Sequence, residues 1–440
     1  MSDGFEKGLS RREVLKRAGV GAGSLALSGS LAAPAWARAR TADASTTIKI
    51  GFVSPLTGPA AGFGEPDPWV ISLARKAFAN GLSVGGTKYD IQIIEKDAQS
   101  APAQAAKVAG DLIHGDDIDL MLATSTPEVV NPVADASEAA QVPYITTVVP
   151  WESWYFGRGA KSPTKNPFLY GFHFCFGVKN FFDSYTHLWP QVKTNKKIGV
   201  MWPNDADGNA IRAALGPLLQ KAGYTIVDPG AYQDGTTDYS AQISKFKAED
   251  CQIFNTFPIP PDFATFWRQA AQQGYTKMVK IAQIAKTGLF PSQVTALGSL
   301  GNNLASACYW HPTFPYKSSL TGLTSKQIAT DYEQHSHKEW NQQTGASLAL
   351  FDVAAAALKA SGNPKDKNAV VTAMHKLKVE TPLGVLDWAT KRPGVPDNVV
   401  PTPIPGGQWV KTSGKYKIDF VLCEHSDDPH IPIGGHLKPY

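Results

Sequence analysis

From Thr47 onward the chain alternates short apolar runs with longer amphipathic periods, a pattern that restricts it to parallel sheets covered by helices on both faces. Residues 48–53, 90–95, 118–123 and 143–147 read as strands, and 68–80, 103–114 and 127–140 as the helices between them. A stretch rich in Trp, Gly, Pro and Lys over 151–167 interrupts the series, which then restarts. Strands are predicted at 168–176, 197–202, 224–227, 252–256, 278–282 and 307–310, with helices at 179–190, 207–222, 238–248 and 261–273. The restart marks a second α/β unit. Three helical segments follow at 324–341, 347–360 and 366–378, before a Pro/Gly-rich end with short strands near 383–388, 408–410 and 418–422. The reading is an α/β protein of two lobes, each a parallel sheet flanked by helices; roughly 400 residues are too many for one core.

The first forty residues read differently. Ser10-Arg11-Arg12-Glu13-Val14-Leu15-Lys16 precedes a weakly apolar run over 18–35 and two small-x-small sites, Ala35-Trp36-Ala37 and Ala37-Arg38-Ala39. This resembles a twin-arginine signal peptide, which implies export in the folded state, cleavage near Ala37 or Ala39 and a periplasmic destination. The other reading, a membrane anchor, needs an apolar stretch able to span roughly 30 Å, and here Gly and Ser interrupt the run. Residues 1–39 carry six Lys or Arg against three acids, so +3 of the chain's formal +4 lies in this segment. The remainder is close to neutral, which argues against nucleic acid or an anionic membrane as partner. Cys175, Cys251, Cys308 and Cys423 form no C-x-x-C pair; the spacing offers no thiolate metal site, and any disulfide connectivity stays open.

Several local signatures then converge. A strand opening Ile48-Lys49-Ile50-Gly51 leads to the turn Thr57-Gly58-Pro59 and the pair Phe63-Gly64. Glu95-Lys96-Asp97-Ala98 precedes a helix, Val142-Pro143-Tyr144-Ile145-Thr146 forms a later strand, and Asp238-Tyr239-Ser240-Ala241-Gln242-Ile243 follows the turn Asp234-Gly235-Thr236-Thr237. Together these resemble the type I periplasmic binding proteins of the branched-chain amino-acid class. The resemblance implies two Rossmann-like lobes joined by a three-segment hinge. It places lobe 1 at 47–170 and 313–381, lobe 2 at 171–312 and 382–440, and crossings near Tyr170, Pro312 and Pro382. It further implies a small-molecule solute held between the lobes, delivery to the permease and ATPase subunits of an ABC importer, a monomer, and no cofactor.

In open parallel sheets solutes sit beyond the carboxyl ends of strands. Thr124-Ser125-Thr126-Pro127 ends a strand and opens a helix, so its hydroxyls and backbone N–H groups suit an anionic or polar group; an ordinary helix cap would use the same residues. Thr146 and Thr147 end the next strand, but Val148, Val149 and Pro150 follow where amino-acid-binding relatives carry polar anchors. Relatives also place an acid after the strand at 278–282, where this chain has Lys286. A buried ammonium without a carboxylate is costly, so the pattern turns the expected solute from an α-amino acid toward an apolar or aromatic carboxylate or amide, with Lys286 facing its negative or carbonyl group; an ordinary solvated loop lysine is the other reading of Lys286. Phe63, Trp151 and Phe257 each follow or end a predicted strand and are the aromatic candidates for the cleft. Most of the other aromatics crowded over 154–176 read as core. The loop 202–209 invites a calcium reading but lacks the bidentate Glu of an EF-hand; as a strand-to-helix turn it puts Asp207 or Asn209 near a cap and makes Asp205 a solute contact. His335-Ser336-His337 reads as a surface helix end.

Beyond the leader there is no Gly-x-Ser-x-Gly, His-Glu-x-x-His, Gly-x-Gly-x-x-Gly or phosphate-loop pattern. The expectation is a non-catalytic receptor that closes on its solute. An exported enzyme whose active site is assembled only by folding is the runner-up, and a sensor ectodomain the third reading.

Overall fold

The computed structural model describes residues 46–440; the signal segment expected over 1–39 lies outside them. The first sheet runs β2 (Leu82–Val84), β3 (Thr87–Asp97), β1 (Thr47–Ser54), β4 (Leu120–Thr124), β5 (Tyr144–Thr147), β6 (Gly171–Phe174) and β14 (Val399–Val400). All neighbours are parallel except the β2–β3 hairpin. β1 shows why this layer needs helices on both sides. Its Ile48, Ile50 and Phe52 enter one core and its Val53 enters another, because successive side chains leave a strand on opposite faces.

The helices over these strands are α1 (Ala61–Gly64), α2 (Asp67–Ala77), α3 (Pro102–Gly110), α4 (Pro127–Ala139) and α5 (Trp151–Tyr155). The second sheet runs β8 (Thr225–Val227), β7 (Lys197–Met201), β9 (Ile253–Thr256), β10 (Ile281–Ile284), β11 (Ala305–Ala307), β15 (Gly406–Lys411) and β16 (Ile418–Leu422). It is parallel as far as β11 and antiparallel beyond. Its helices are α6 (Val178–Leu188), α7 (Ala206–Lys221), α8 (Ser240–Ala248), α9 (Pro260–Gln272) and α10 (Pro291–Thr295). The three later helices, α11 (Ser325–Ser336), α12 (Gln343–Ala360) and α13 (Lys367–Met374), return to the first sheet, where Phe351 of α12 stacks on Phe52 at 5.6 Å. A separate hairpin pairs β12 (Lys378–Thr381) with β13 (Gly384–Asp387).

The chain passes between sheets after β6, after β11 and between β14 and β15. β6 pairs residue for residue with β5, so the first passage follows Phe174 and not Tyr170. Val399 and Val400 pair with His173 and Phe174, so the last passage follows Val400 and not Pro382. The four cysteines are buried free thiols. No helix among the described residues is long and apolar enough to cross a membrane.

Asp352 is buried inside α12, where one carboxylate oxygen accepts from Ser318 Oγ at 2.6 Å and Leu320 N at 2.8 Å. Burial pushes its carboxyl up to about 8, against the pull of these donors. A raised carboxyl stabilises the fold below its unfolded value of about 3.9, and that contribution is lost as pH rises through the folded value. Asp352→Asn keeps the acceptor oxygen. It is expected to be more stable than the parent by about 2 kcal/mol at pH 8 and to lose this advantage by pH 4, measured by urea unfolding across that range.

Candidate functional site

Strands of both sheets and all three passages end around one cavity. Phe63, Ser125, Thr126, Val148 and Pro150 line it from the loops of the first sheet. Asp207, Phe257, Ala285, Lys286 and Leu289 line it from the second, and Phe176, Phe181, Tyr309 and Ile404 from the passages and their borders. The mixture of apolar walls with few polar groups is typical of small-molecule sites.

Phe63 sits on the one-turn helix α1 and meets Phe290 of the other layer edge-on at 4.9 Å, bringing the two sides together. The turn is tight: a Cβ on Gly64 would come within 2.4 Å of the Pro55 carbonyl oxygen. On the first sheet, Thr126 occupies the N-cap of α4 but its hydroxyl makes no cap bond, and the buried Ser125 Oγ has no partner. The first-turn N–H groups and these hydroxyls together suit a carboxylate or another acceptor. Ser125 and Val148, which end adjacent strands, lie at φ 130° and φ 74°. Such backbone costs about 1–3 kcal/mol per residue, and strain of this kind concentrates at binding and catalytic sites.

Lys286, only 7 % exposed, follows β10. Its Nζ lies 3.3 Å from Asp205 Oδ2 and 3.0 Å from Asp207 Oδ2. Burial pulls the ammonium down, but the carboxylates of Asp205, Asp207 and Glu128 outweigh it and hold Lys286 well above the usual lysine range. Burial likewise lifts the Asp207 carboxyl, against the attraction of Lys286. Asp234 nearby is pushed up to about 6, first by partial desolvation and then by Asp205. Lys286 is therefore not the free cation expected from the sequence, because two aspartates from the β7–α7 turn neutralise it.

The same turn supplies the acid that the segment after β10 lacks. Asp205, extended at the N-cap of α7, accepts from Gly208 N at 2.6 Å. Asp207, the second residue of α7, lines the cavity. The sequence reading put a cap at Asp207 or Asn209 and a solute contact at Asp205; Asp205 takes the cap because extended N-cap backbone lets a short side chain fold back onto the first turn.

Of the residues singled out from the sequence, Phe63, Ser125, Thr126, Phe257 and Lys286 are brought together at the cavity. The others are engaged elsewhere. Thr124 Oγ1 accepts from Gln343 Nε2 at 2.7 Å, Thr146 Oγ1 bonds His173 Nδ1 at 2.8 Å, and Thr147 donates to the Phe174 carbonyl at 2.6 Å. Trp151 packs its indole against Gly177, where a Cβ would fall 2.2 Å from Nε1. Phe176, Phe181, Tyr309 and Ile404 were not singled out as solute contacts, and Asp207 was weighed only as a cap. No group of His, Cys, Asp and Glu among the described residues could hold a metal ion, and His335 and His337 lie on the exposed end of α11.

The chain matches the periplasmic binding protein family over residues 47–412 and belongs to it. A relative named Leu/Ile/Val-binding protein homolog 3, from Brucella melitensis, is 24 % identical over 359 residues, covering 78 % of this chain and 87 % of its own. The crystal structure of a leucine-binding protein LivK from Thermotoga maritima superposes with a TM-score of 0.68 at 16 % identity, covering 86 % of this chain and 99 % of that one. A solute-binding protein of an ABC transporter from R. palustris, solved with 4-hydroxybenzoate, gives 0.68 at 17 % identity, covering 88 % and 98 %. The two-lobed fold is thus that of a type I periplasmic binding protein, and the relatives are substrate-binding proteins rather than enzymes.

Proposed function

We propose that this chain is the non-catalytic, monomeric, extracytoplasmic receptor of an ABC importer. It captures a small organic solute by closing its two lobes and passes it to permease and ATPase subunits. The cavity carries the proposal: both sheets and every passage contribute to it, so a bound solute touches both lobes and favours the closed form by its difference in affinity for the two states. Export by the twin-arginine route, with cleavage near Ala37 or Ala39, places the receptor in the periplasm.

The solute class is an amino-acid-like molecule or an aromatic or apolar carboxylate or amide. Ser125, Thr126 and the start of α4 suit its acceptor group, and Phe63, Phe176, Phe181 and Phe257 its apolar body. Relatives named for branched-chain amino acids and one solved with an aromatic acid span this class. A thermal-shift panel of amino acids, aromatic acids, amides and short carboxylates tests it. A solute at about 100 times its dissociation constant adds roughly 2.7 kcal/mol. Phe63→Ala is expected to weaken the best solute about tenfold or more, measured by calorimetry, by removing a cavity wall and the Phe290 contact; unchanged affinity would place the solute elsewhere.

A further inference from the structure

The polar group at the second-sheet end of the cavity is more selective than its charges suggest. An ammonium has three N–H donors, and the ion pairs of Lys286 direct two of them at Oδ2 of Asp205 and Oδ2 of Asp207. Asp205 uses its remaining oxygen on Gly208 N. The remaining oxygen of Asp207, Oδ1, is buried with no hydrogen-bond partner, on a residue 3 % exposed that lines the cavity. Asp207, which lines the cavity, therefore holds one acceptor without a partner beside an ammonium with one N–H left beyond its two ion pairs. From this geometry we infer that Asp207 and Lys286 together read a neutral group on the solute that both donates and accepts, a hydroxyl or a carboxamide, so that the solute is a hydroxylated or amidated carboxylic acid. The inference rests on the receptor reading above and narrows its solute class.

The alternatives each leave something unpaired. A hydroxyl accepts from Lys286 and donates to Asp207 with one atom, and a carboxamide does so with its oxygen and nitrogen. An ammonium would donate to Asp207 but offers Lys286 no acceptor and sets a second positive charge beside it. A carboxylate would accept from Lys286 but brings no donor to Asp207, among surrounding carboxylates that include Glu128, Asp234 and Asp262. A hydrocarbon leaves both groups unsatisfied in a low-dielectric wall, the costliest state for a buried polar pair. The same surrounding carboxylates attract cations, so the comparison of hydroxyl with ammonium on one carbon skeleton decides the matter.

The test is calorimetry on the mature protein at pH 7.5 with two matched sets. One is leucine, its α-hydroxy analogue and the deaminated acid of the same skeleton. The other is benzoate bearing a para-hydroxyl, para-carboxamide, para-aminomethyl or hydrogen. In at least one set the hydroxyl or carboxamide member is expected to bind about tenfold or more tighter than the ammonium and hydrocarbon members. Asp207→Asn retains an acceptor for Lys286 while adding an N–H, and is expected to cut that preference to under about threefold, with thermal unfolding confirming a folded variant. Ammonium members binding as well or better, equal binding within each set, or a preference unchanged in Asp207→Asn would overturn the inference. If neither set binds and the wider panel yields a solute without a hydroxyl or amide, the inference falls and the receptor reading stands. If the wider panel is silent too, both fall.

Discussion

Lys286→Met is expected to destabilise the protein by about 3–5 kcal/mol at pH 8, because it leaves two carboxylates without their cation. The side chains of Asp205 and Asp207 are 6 % and 5 % exposed, so water cannot replace the lost partner. The pH dependence separates this from simple loss of packing. Without Lys286 the Asp207 carboxyl, already lifted by burial, rises further above its unfolded value of about 3.9. A raised carboxyl contributes stability at low pH that disappears as pH climbs through the folded value. The deficit should therefore shrink toward pH 5, where Asp207 takes up a proton, and be largest at pH 8. Denaturant unfolding of parent and variant at both values measures it. A deficit that is small, or the same at both, would mean that the pair contributes little beyond packing.

Trp154→Ala is expected to cost about 3–5 kcal/mol through a different mechanism, a large unfilled cavity in the core. Trp154 is fully buried and stacks on His173 with ring centroids 4.7 Å apart and planes inclined by 8°. The Arg158 guanidinium lies 4.9 Å from its ring and 3.8 Å from that of Phe168. Removing the indole empties the centre of this stack and exposes one face of a histidine that burial holds neutral, with its pKa down at about 3. Because Trp154 does not line the cavity, solute affinity of the folded variant is expected to stay within about twofold of the parent. Urea unfolding gives the first number and calorimetry the second; a large loss of affinity in folded protein would show that the stack positions the site.

The legible part of this protein is the part set by local pattern. Strands and helices repeat with periods of two and 3.6 residues, and most strands of both sheets and the helices α11 to α13 can be followed that way; that these helices return to the first sheet comes only from the family resemblance. β14 could not, since two residues within the Pro-rich end carry no period. The β2–β3 hairpin was missed although Gly85-Gly86 between two alternating runs is its turn signal. The cavity splits on the same line. Phe63 and Lys286 each follow a strand closely enough to be found, whereas Phe176, Tyr309 and Ile404 stand on passages whose convergence is a long-range property. Which of Asp205 and Asp207 faces the cavity depends on the backbone angle at one N-cap, and nothing in the residue types records it.

The most direct test of the receptor reading is the thermal-shift panel on the mature protein, followed by recovery of the bound compound. One chemical class of small solute should raise the melting temperature in a concentration-dependent way, return chemically unchanged, and bind more weakly to Phe63→Ala. A solute that is consumed, or a panel in which no class shifts the parent, would contradict a receptor that closes on its cargo.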